Sequence, residues 1–525
     1  MVLSFFLLLF LSMELTAAHR ILFLSPISTR SHTNFVKPVI KGLVERGHFV
    51  TYWNGLLPTN QGKNALNQTA NLRLLYSPEL DELNSDHNVD FGAGTNNFYL
   101  LFELPKRVVL YCKTIYRDPV FHQLMESHEK YDLIIVEAAV NECILPLVHK
   151  FDAPFIYTMG SMPMPWHLDA VSSPLAFDHY SHIGSAFKDE MNFWQRTYNA
   201  LSGISAIYYW RWIVMPVADR LAAETLHIEN LPTIEMIENK YLSLLILNTN
   251  LGINYQMATT PAVIQAGGMN LGPSKPLPHD LEKFVNDSGD AGCIIVSFGS
   301  LLRTSDLPDD VRRLFMSTFA RLPQRILWKW ENENKIGNKE SIPANVKLMP
   351  WLPQADLLGH PKMRLFITHG GINSIQEAVY HKVPLIILPV FIDQPLNAKK
   401  AEDDGFAIHL DWNNLTEEIL FNAIEQILIN ASYAEKIKKV SELVRDQMET
   451  PLDRVIYWIE YVIRHDGAPH LRTASRKLSL HQRFLFDVML FVVLIAILMS
   501  YVFVRVLRYF CCADRIQKCD LKKKN

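Results

Sequence analysis

The residue types between Trp351 and Gln394 suit the separate parts of a nucleotide sugar. Arg364-Leu-Phe-Ile-Thr368 is a short apolar run of strand composition, Gly370 and Gly371 permit a tight turn, and Asn373 onward has helical character. A helix N-terminus presents unpaired N–H groups and a partial positive charge, a favourable seat for phosphate. His369, Asn373 and Ser374 stand around that end and can donate to phosphate oxygens. Glu377 lies three and four residues past Ser374 and Asn373, on the same helix face, where a carboxylate can accept both hydroxyls of a ribose. Trp351, in Trp351-Leu-Pro-Gln354, offers a flat ring on which a base can stack. Asp393 and Gln394 follow a second buried-strand run, Val383-Pro-Leu-Ile-Ile-Leu-Pro389, and can read sugar hydroxyls at the same crevice edge. A lone Gly-Gly-x-Asn would read as helix capping alone. The density of matched positions favours the nucleotide-sugar reading.

These residues closely resemble the signature of the UDP-glycosyltransferase family, in the form typical of animal UDP-glucuronosyltransferases. The resemblance runs from about His19 to the C-terminus. It includes Gly359-His-Pro-Lys362 before the signature and Pro451-Leu-Asp-Arg454 with Trp458-Ile-Glu460 after it. It implies inverting transfer of a sugar from UDP to a small lipophilic acceptor, giving a β-glycoside, with UDP-glucuronate favoured as donor and UDP-glucose the alternative. Donor-binding roles then fall on Ser300, Trp351, Gln354, His369, Gly371, Asn373, Ser374, Glu377, Asp393 and Gln394. Ser374 stands where vertebrate members usually carry glycine, which adds a phosphate donor.

Sugar transfer to a hydroxyl requires the acceptor to lose a proton as it attacks the anomeric carbon. A histidine, with an ordinary pKa of about 6.5, is a natural general base. His32 falls between the first expected strand and the first expected helix, and Ser31-His32 matches the element that carries the family's catalytic base. Such a base works with an orienting acid. Where the family supplies an aspartate, this chain has Glu137, ending Tyr131-Asp-Leu-Ile-Ile-Val-Glu137. The side chain is one methylene longer, so it serves only with a small shift of the strand end or the histidine; Glu142 is the second candidate. The non-enzyme alternative is an inactive member that binds UDP-sugar or a partner.

Other chemistries fit less well. A dinucleotide dehydrogenase needs GxGxxG after its first strand, and Ser25-Pro-Ile-Ser-Thr-Arg-Ser-His32 has no glycine there. Gly92-Ala-Gly94 lacks the third glycine. The chain has no Asp-x-Asp pair, so neither metal nor other cofactor is expected, and the departing UDP falls to backbone amides, Asn373, Ser374 and His369. A net charge of −3 gives no electrostatic case for nucleic acid.

At 525 residues the chain fits two domains plus appendages. Its apolar content of 49% is raised by two segments. Val2–Leu11 suits a signal h-region, and Thr16 and Ala18 suit cleavage before His19, although no basic residue precedes Arg20. Residues 484–504 span ~31 Å as a helix, enough for a bilayer. More Lys and Arg follow this run than precede it, which places the tail in the cytosol. Lysines three and four positions from the end make a dilysine retrieval pattern, so an endoplasmic reticulum membrane protein with lumenal catalytic domains is expected. Cys112, Cys143 and Cys293 are then lumenal and make no disulfide scaffold. The sequons at Asn67, Asn286, Asn414 and Asn430 become glycan acceptors in that compartment. A homo-oligomer is left open.

The elements that must position these groups alternate in α/β fashion. Ile21–Leu24, a helix over Asn34–Arg46 and Phe49–Trp53 open the chain as a βαβ unit, and Leu133–Val136 is another buried strand. A second alternation begins at Cys293 and continues through Arg325–Trp328, Arg364–Thr368, Pro384–Leu388 and Phe406–Leu410. The expected class is α/β, GT-B: two doubly wound domains facing across a cleft lined by strand carboxyl ends. The expected boundaries are 1–18 signal, 19–264 acceptor domain, 265–280 linker and 281–466 UDP-sugar domain. A lumenal segment 467–483, a membrane helix 484–504 and a cytosolic tail 505–525 follow. The irregular aromatic stretch from Pro163 to Trp212 is read as core helices or as acceptor pocket and membrane contact.

Overall fold

Strands such as Leu133–Glu137, Phe155–Met159 and Leu242–Leu247 are buried at every position. That is the signature of parallel strands covered on both faces, and the computed structural model pairs every strand it describes in parallel. It describes residues 18–56, 70–85, 97–300, 302–332 and 342–523. Most of the expected signal segment, Asn67, Gly92–Gly94 and the last two residues lie outside these.

The first sheet contains β1 (Arg20–Ser25), β2 (Phe49–Asn54), β3 (Leu72–Tyr76), β4 (Leu133–Glu137), β5 (Phe155–Met159), β6 (Leu242–Leu247) and β7 (Val263–Gln265), in the order β3-β2-β1-β4-β5-β6-β7. The second contains β8 (Cys293–Ser297), β9 (Arg325–Lys329), β10 (Val346–Met349), β11 (Met363–Thr368), β12 (Leu385–Ile387) and β13 (Ala407–His409), in the order β10-β9-β8-β11-β12-β13. Each order reverses once, between β1 and β4 and between β8 and β11. Doubly wound sheets bind ligands at such switch points, beyond the strand carboxyl ends. The two-sheet GT-B architecture expected from sequence is present.

Two differences bear on the site. The helix expected over Asn34–Arg46 starts at Arg30 and runs to Glu45, because Thr29 caps it, its Oγ1 accepting from the His32 N–H at 3.3 Å. His32 therefore sits in the first helical turn rather than in a loop. The stretch after Pro163 is also more regular than its composition suggests, with helices Pro165–Ala170, Phe193–Tyr209 and Met215–Leu226 joined by a π-turn at Trp210–Val214.

The last helix of the expected 281–466 segment packs away from the sheet that precedes it. Helix Pro451–Arg464 leaves the second sheet and packs on the first domain, where Val455, Ile456, Ile459 and Val462 join the core around β1. The spacing of these residues makes one apolar stripe, which lies against helix Arg30–Glu45 beside Gly42, where a Cβ would approach Ile456 Cδ1 to 3.2 Å. Glu460 fixes the contact by accepting from Arg46 Nη1 at 3.2 Å and facing His48 Nε2 at 3.2 Å. Residues up to Leu471 form one compact unit, so the two sheets are joined both by the linker and by this returning helix.

Cys112 and Cys143 form a disulfide and Cys293 is free and buried. Asn286, Asn414 and Asn430 are exposed. The C-terminal unit holds the helix Phe486–Lys523, of which Phe486–Phe510 is apolar and long enough to cross a membrane. It starts two residues later than expected, after Leu485 in a left-handed conformation, and continues into the tail because Arg505–Lys523 contains no glycine or proline to stop it.

Candidate active site

One cavity of about 1520 Å³ is lined from both sheets. A pocket for one drug-sized ligand measures ~300–1,000 Å³, so there is room here for a donor and an acceptor together. His32 and each of the ten sequence-assigned donor residues line it.

The first switch point positions His32 and Glu137. His32 follows β1, Glu137 ends the neighbouring β4, and His32 Nδ1 meets Glu137 Oε1 at 2.7 Å. The longer carboxylate thus reaches the imidazole directly. Its second oxygen accepts from Asn141 Nδ2 at 3.2 Å, and Asn141 is anchored through Ile27 N and O. With Nδ1 engaged, Nε2 is the nitrogen left to take a proton. Burial lowers the His32 pKa, but the charge and hydrogen bond of Glu137 outweigh it, with Asp393 adding, so the net shift is upward. The ring lies against Gly160, where a Cβ would stand 2.7 Å from His32 Cδ2. Glu142 is not the partner. It is buried without contact to the His32 ring, and burial, with the charges of Glu238 and Glu137 adding, pushes its carboxyl up to about 8.

The second switch point positions the donor groups. Ser300 follows β8; His369, Gly370 and Gly371 follow β11 and lead into helix Ile372–His381. Gly371 is the N-cap and offers no side-chain acceptor, so the first-turn N–H groups remain open to a ligand. Gly370 has φ 87°, and a Cβ there would stand 2.7 Å from Ile387 Cγ2. The His369 ring is held between Gly299 and Gly371, at either of which a Cβ would approach it to 2.6 Å. Burial, and then Lys329, drive its pKa down to about 3. His369 is therefore a neutral imidazole, able to donate one N–H but carrying no charge to a phosphate.

A cation outside the motif also lines the cavity. Lys329 ends β9, donates to Gly299 O at 2.5 Å, pairs with Glu331 at 3.2 Å and lies 5.7 Å from the centre of the Trp351 ring. A lysine closing a buried strand run was its visible signal.

Gln354 Nε2 donates to Glu377 Oε2 at 2.8 Å and to Ser374 Oγ at 3.2 Å, so these three form one cluster beside the half-exposed Trp351. Asp393 accepts from Asn397 at 2.8 Å and feels His32 electrostatically, which puts it where the two sheets meet. Gln394 Oε1 accepts from the N–H groups of Val390 and Phe391, leaving its Nε2 to donate. Asn373 differs most from expectation. Its oxygen accepts from Asn248 at 2.7 Å and its nitrogen donates to Ser31 O at 3.1 Å, so one N–H at most remains for phosphate. On the first-domain side the walls are apolar. Trp166 and Trp210 stack at 4.5 Å, with Met159, Met164 and Ile183 nearby.

Burial pushes the Glu377 carboxyl up to about 7, against the hydrogen bond from Gln354. A ribose diol bound as the sequence implies would donate to the ionised form, so ligand binding would draw this pKa down. Affinity for UDP is then full above pH 7 and falls as pH drops through 7, by up to ~tenfold for the first unit. UDP's own phosphate titrates nearby, so the informative quantity is the difference between the parent and Glu377→Gln by calorimetry across roughly pH 5.5–8.5. Identical pH profiles for the two would show that Glu377 does not read the ribose.

Comparison with known proteins follows this geometry. A family model described as UDP-glucoronosyl and UDP-glucosyl transferase matches residues 26–524. The UDP-glycosyltransferase UGT5 of Dactylopius coccus is 31% identical over 516 residues, covering 97% of this chain and 96% of that protein. The UDP-glucosyltransferase 2 of the same insect is 32% identical, covering 90% of this chain and 89% of that protein. Human UDP-glucuronosyltransferase 2B7 is 29% identical, covering 87% of each chain. Among solved structures, the calicheamicin glycosyltransferase CalG4 superposes with a TM-score of 0.56 at 16% identity, over 85% of this chain and 99% of that one. With the match spanning nearly its whole length and the two facing sheets in place, the chain belongs to the UDP-glucuronosyl and UDP-glucosyl transferase family and is a UDP-glycosyltransferase.

Proposed function

We propose that the enzyme transfers an uncharged hexose, with glucose the expected sugar, from UDP to a hydroxyl of a small lipophilic acceptor, with inversion to a β-glycoside. The observation that carries the choice of sugar is the charge around His32. Glu137 and Asp393 are the charged groups that act on the imidazole, and both are carboxylates. A hexuronate carboxylate ~5–10 Å from such a group costs on the order of 2–3 kcal/mol at an effective dielectric near 20. The relatives include both a UDP-glucosyltransferase and a UDP-glucuronosyltransferase, so the choice rests on the charge around His32.

In the proposed reaction, the acceptor oxygen bonds to the anomeric carbon as its proton passes to His32 Nε2. The bond from that carbon to the β-phosphate oxygen breaks, and UDP leaves with the electron pair. Glu137 holds the imidazole and stabilises the imidazolium. Helix N–H groups, Ser374, Asn373 and Lys329 receive the charge on the departing phosphate. Trp351 takes the base, Glu377 and Gln354 the ribose, and Asp393 and Gln394 the sugar hydroxyls. These donors are protein groups, so no metal is assigned to the site. The acceptor lies against Trp166, Met159 and Ile183.

We also propose a type I arrangement in the endoplasmic reticulum, residues 19–483 lumenal and the tail cytosolic. The apolar helix, the Cys112–Cys143 disulfide and the exposed sequons support it, since disulfides and N-glycans belong to that compartment.

Four outcomes test these readings. In EDTA, kcat/KM with UDP-glucose should exceed that with UDP-glucuronate by tenfold or more for the same acceptor; preference for the glucuronate, or loss of turnover in chelator, would reject the donor or the metal-free reading. His32→Ala should reduce kcat by roughly 10²–10⁴-fold with UDP affinity retained. Because Glu137 already reaches Nδ1 at 2.7 Å, Glu137→Asp should lower the rate despite restoring the usual family residue; a faster enzyme would show that the longer side chain is a compromise. Protease added to intact microsomes should trim only the tail, and digestion of the catalytic unit would refute the topology.

A further inference from the structure

Asn248 lies one residue past the carboxyl end of β6 and is fully buried. Its Nδ2 donates to Gly160 O at 3.0 Å and to Asn373 Oδ1 at 2.7 Å. Its Oδ1 accepts from Gln376 Nε2 at 3.1 Å, and Gln376 is likewise fully buried. Asn373 then donates to Ser31 O at 3.1 Å. One chain of amides thus runs from the donor-side helix Ile372–His381 to two peptide groups that flank the base. Ser31 precedes His32, and Gly160 is the residue against which the His32 ring packs.

The direction of each bond matters. Both N–H groups of Asn248 are used, and its oxygen accepts from Gln376, so the amide cannot flip without losing these bonds. That fixes Asn373 in turn, with its oxygen toward Asn248 and its nitrogen toward the His32 helix. The second N–H on that nitrogen is the one available to a donor phosphate. The position of helix Ile372–His381 is therefore tied by hydrogen bonds to the segment that carries His32.

We propose that Asn248 is a positioning residue for the transfer reaction: it orients Asn373 so that the donor-side helix and the His32 helix are held in one register. It touches neither substrate and acts through Asn373, with the Gly160 bond anchoring its own amide. The proposal rests on His32 being the base.

The test is a double-mutant cycle in the full-length enzyme, with rates expressed per UDP-binding site so that only folded protein is counted. Asn248→Asp keeps the size and an acceptor oxygen but removes both N–H donors; Asn248→Ser is the milder variant should the first fold poorly. Either should lower kcat by roughly tenfold or more, the cost of a small misplacement of a catalytic group, while UDP affinity changes by less than ~threefold. In an Asn373→Ala background the same substitution should cost less than ~twofold, because the route through Asn373 is already cut. An equal fold-loss in both backgrounds, or an undiminished kcat in folded Asn248→Asp and Asn248→Ser, overturns the proposal. If His32→Ala retains turnover, the assignment of the base fails and this inference with it. If His32→Ala abolishes turnover while both Asn248 variants remain fast, only this inference fails.

Discussion

Parallel pairing places every strand's carboxyl end on one edge of its sheet, and a single reversal of strand order leaves a crevice at that edge. This constraint acts twice here. Between β1 and β4 it brings His32 against Glu137, residues 105 apart in sequence. Between β8 and β11 it brings Ser300 beside His369 and the open N-terminus of helix Ile372–His381. Neither half is complete alone. The base and the apolar walls come from the first sheet and the phosphate seat from the second, so chemistry depends on holding the two edges face to face. The helix Pro451–Arg464 contributes to that by returning to the first core after the second domain is built.

Four histidines line the cavity, and the packing separates their behaviour. His369 and His167 are driven to about 3 by burial, and His182 to about 4. These three remain neutral across the physiological range and can serve only as hydrogen-bond partners or packing. His32 is also buried, yet it alone has a carboxylate on its ring nitrogen, and its pKa rises. The sign has a consequence for rate. In the proposed role as base His32 must be neutral to accept a proton, so a raised pKa would place the acid limb of activity above about 6.5, and the same shift would make the imidazolium a more stable product of the proton transfer. One environment that differs by a single carboxylate thus selects the base from chemically identical candidates.

Much of this was legible in the sequence because the chemistry of the donor site is local. Trp351, Gln354, His369, Ser374 and Glu377 lie on adjacent segments, and their residue types and helical spacing imply their arrangement. The strands were legible for a similar reason, since a strand covered on both faces is an unbroken apolar run. Contacts set by tertiary packing were not legible. Nothing local marks Asn141 as the anchor of Glu137, Gly160 as the space for the His32 ring, or Asn248 as the partner of Asn373. The helix Pro451–Arg464 shows its apolar stripe in sequence, but not which core the stripe enters. His32 is helical because Thr29 caps the helix ahead of its apolar stripe, and the polar residues between them carry no periodic signal.

The double use of Asn373 shows how a binding site and a domain interface can share one residue. Read from its neighbours in sequence, it is a phosphate donor; in the fold it is also the point where the second domain grips the first helical turn of the first. The two uses are compatible because an amide nitrogen carries two hydrogens, and the Asn248 contact determines where both point. A serine or threonine at this position could offer a phosphate one hydrogen, but could not also donate to Ser31 and accept from Asn248 in fixed directions. The demand for an amide at 373 therefore arises as much from holding the base in register with the donor as from binding the donor itself.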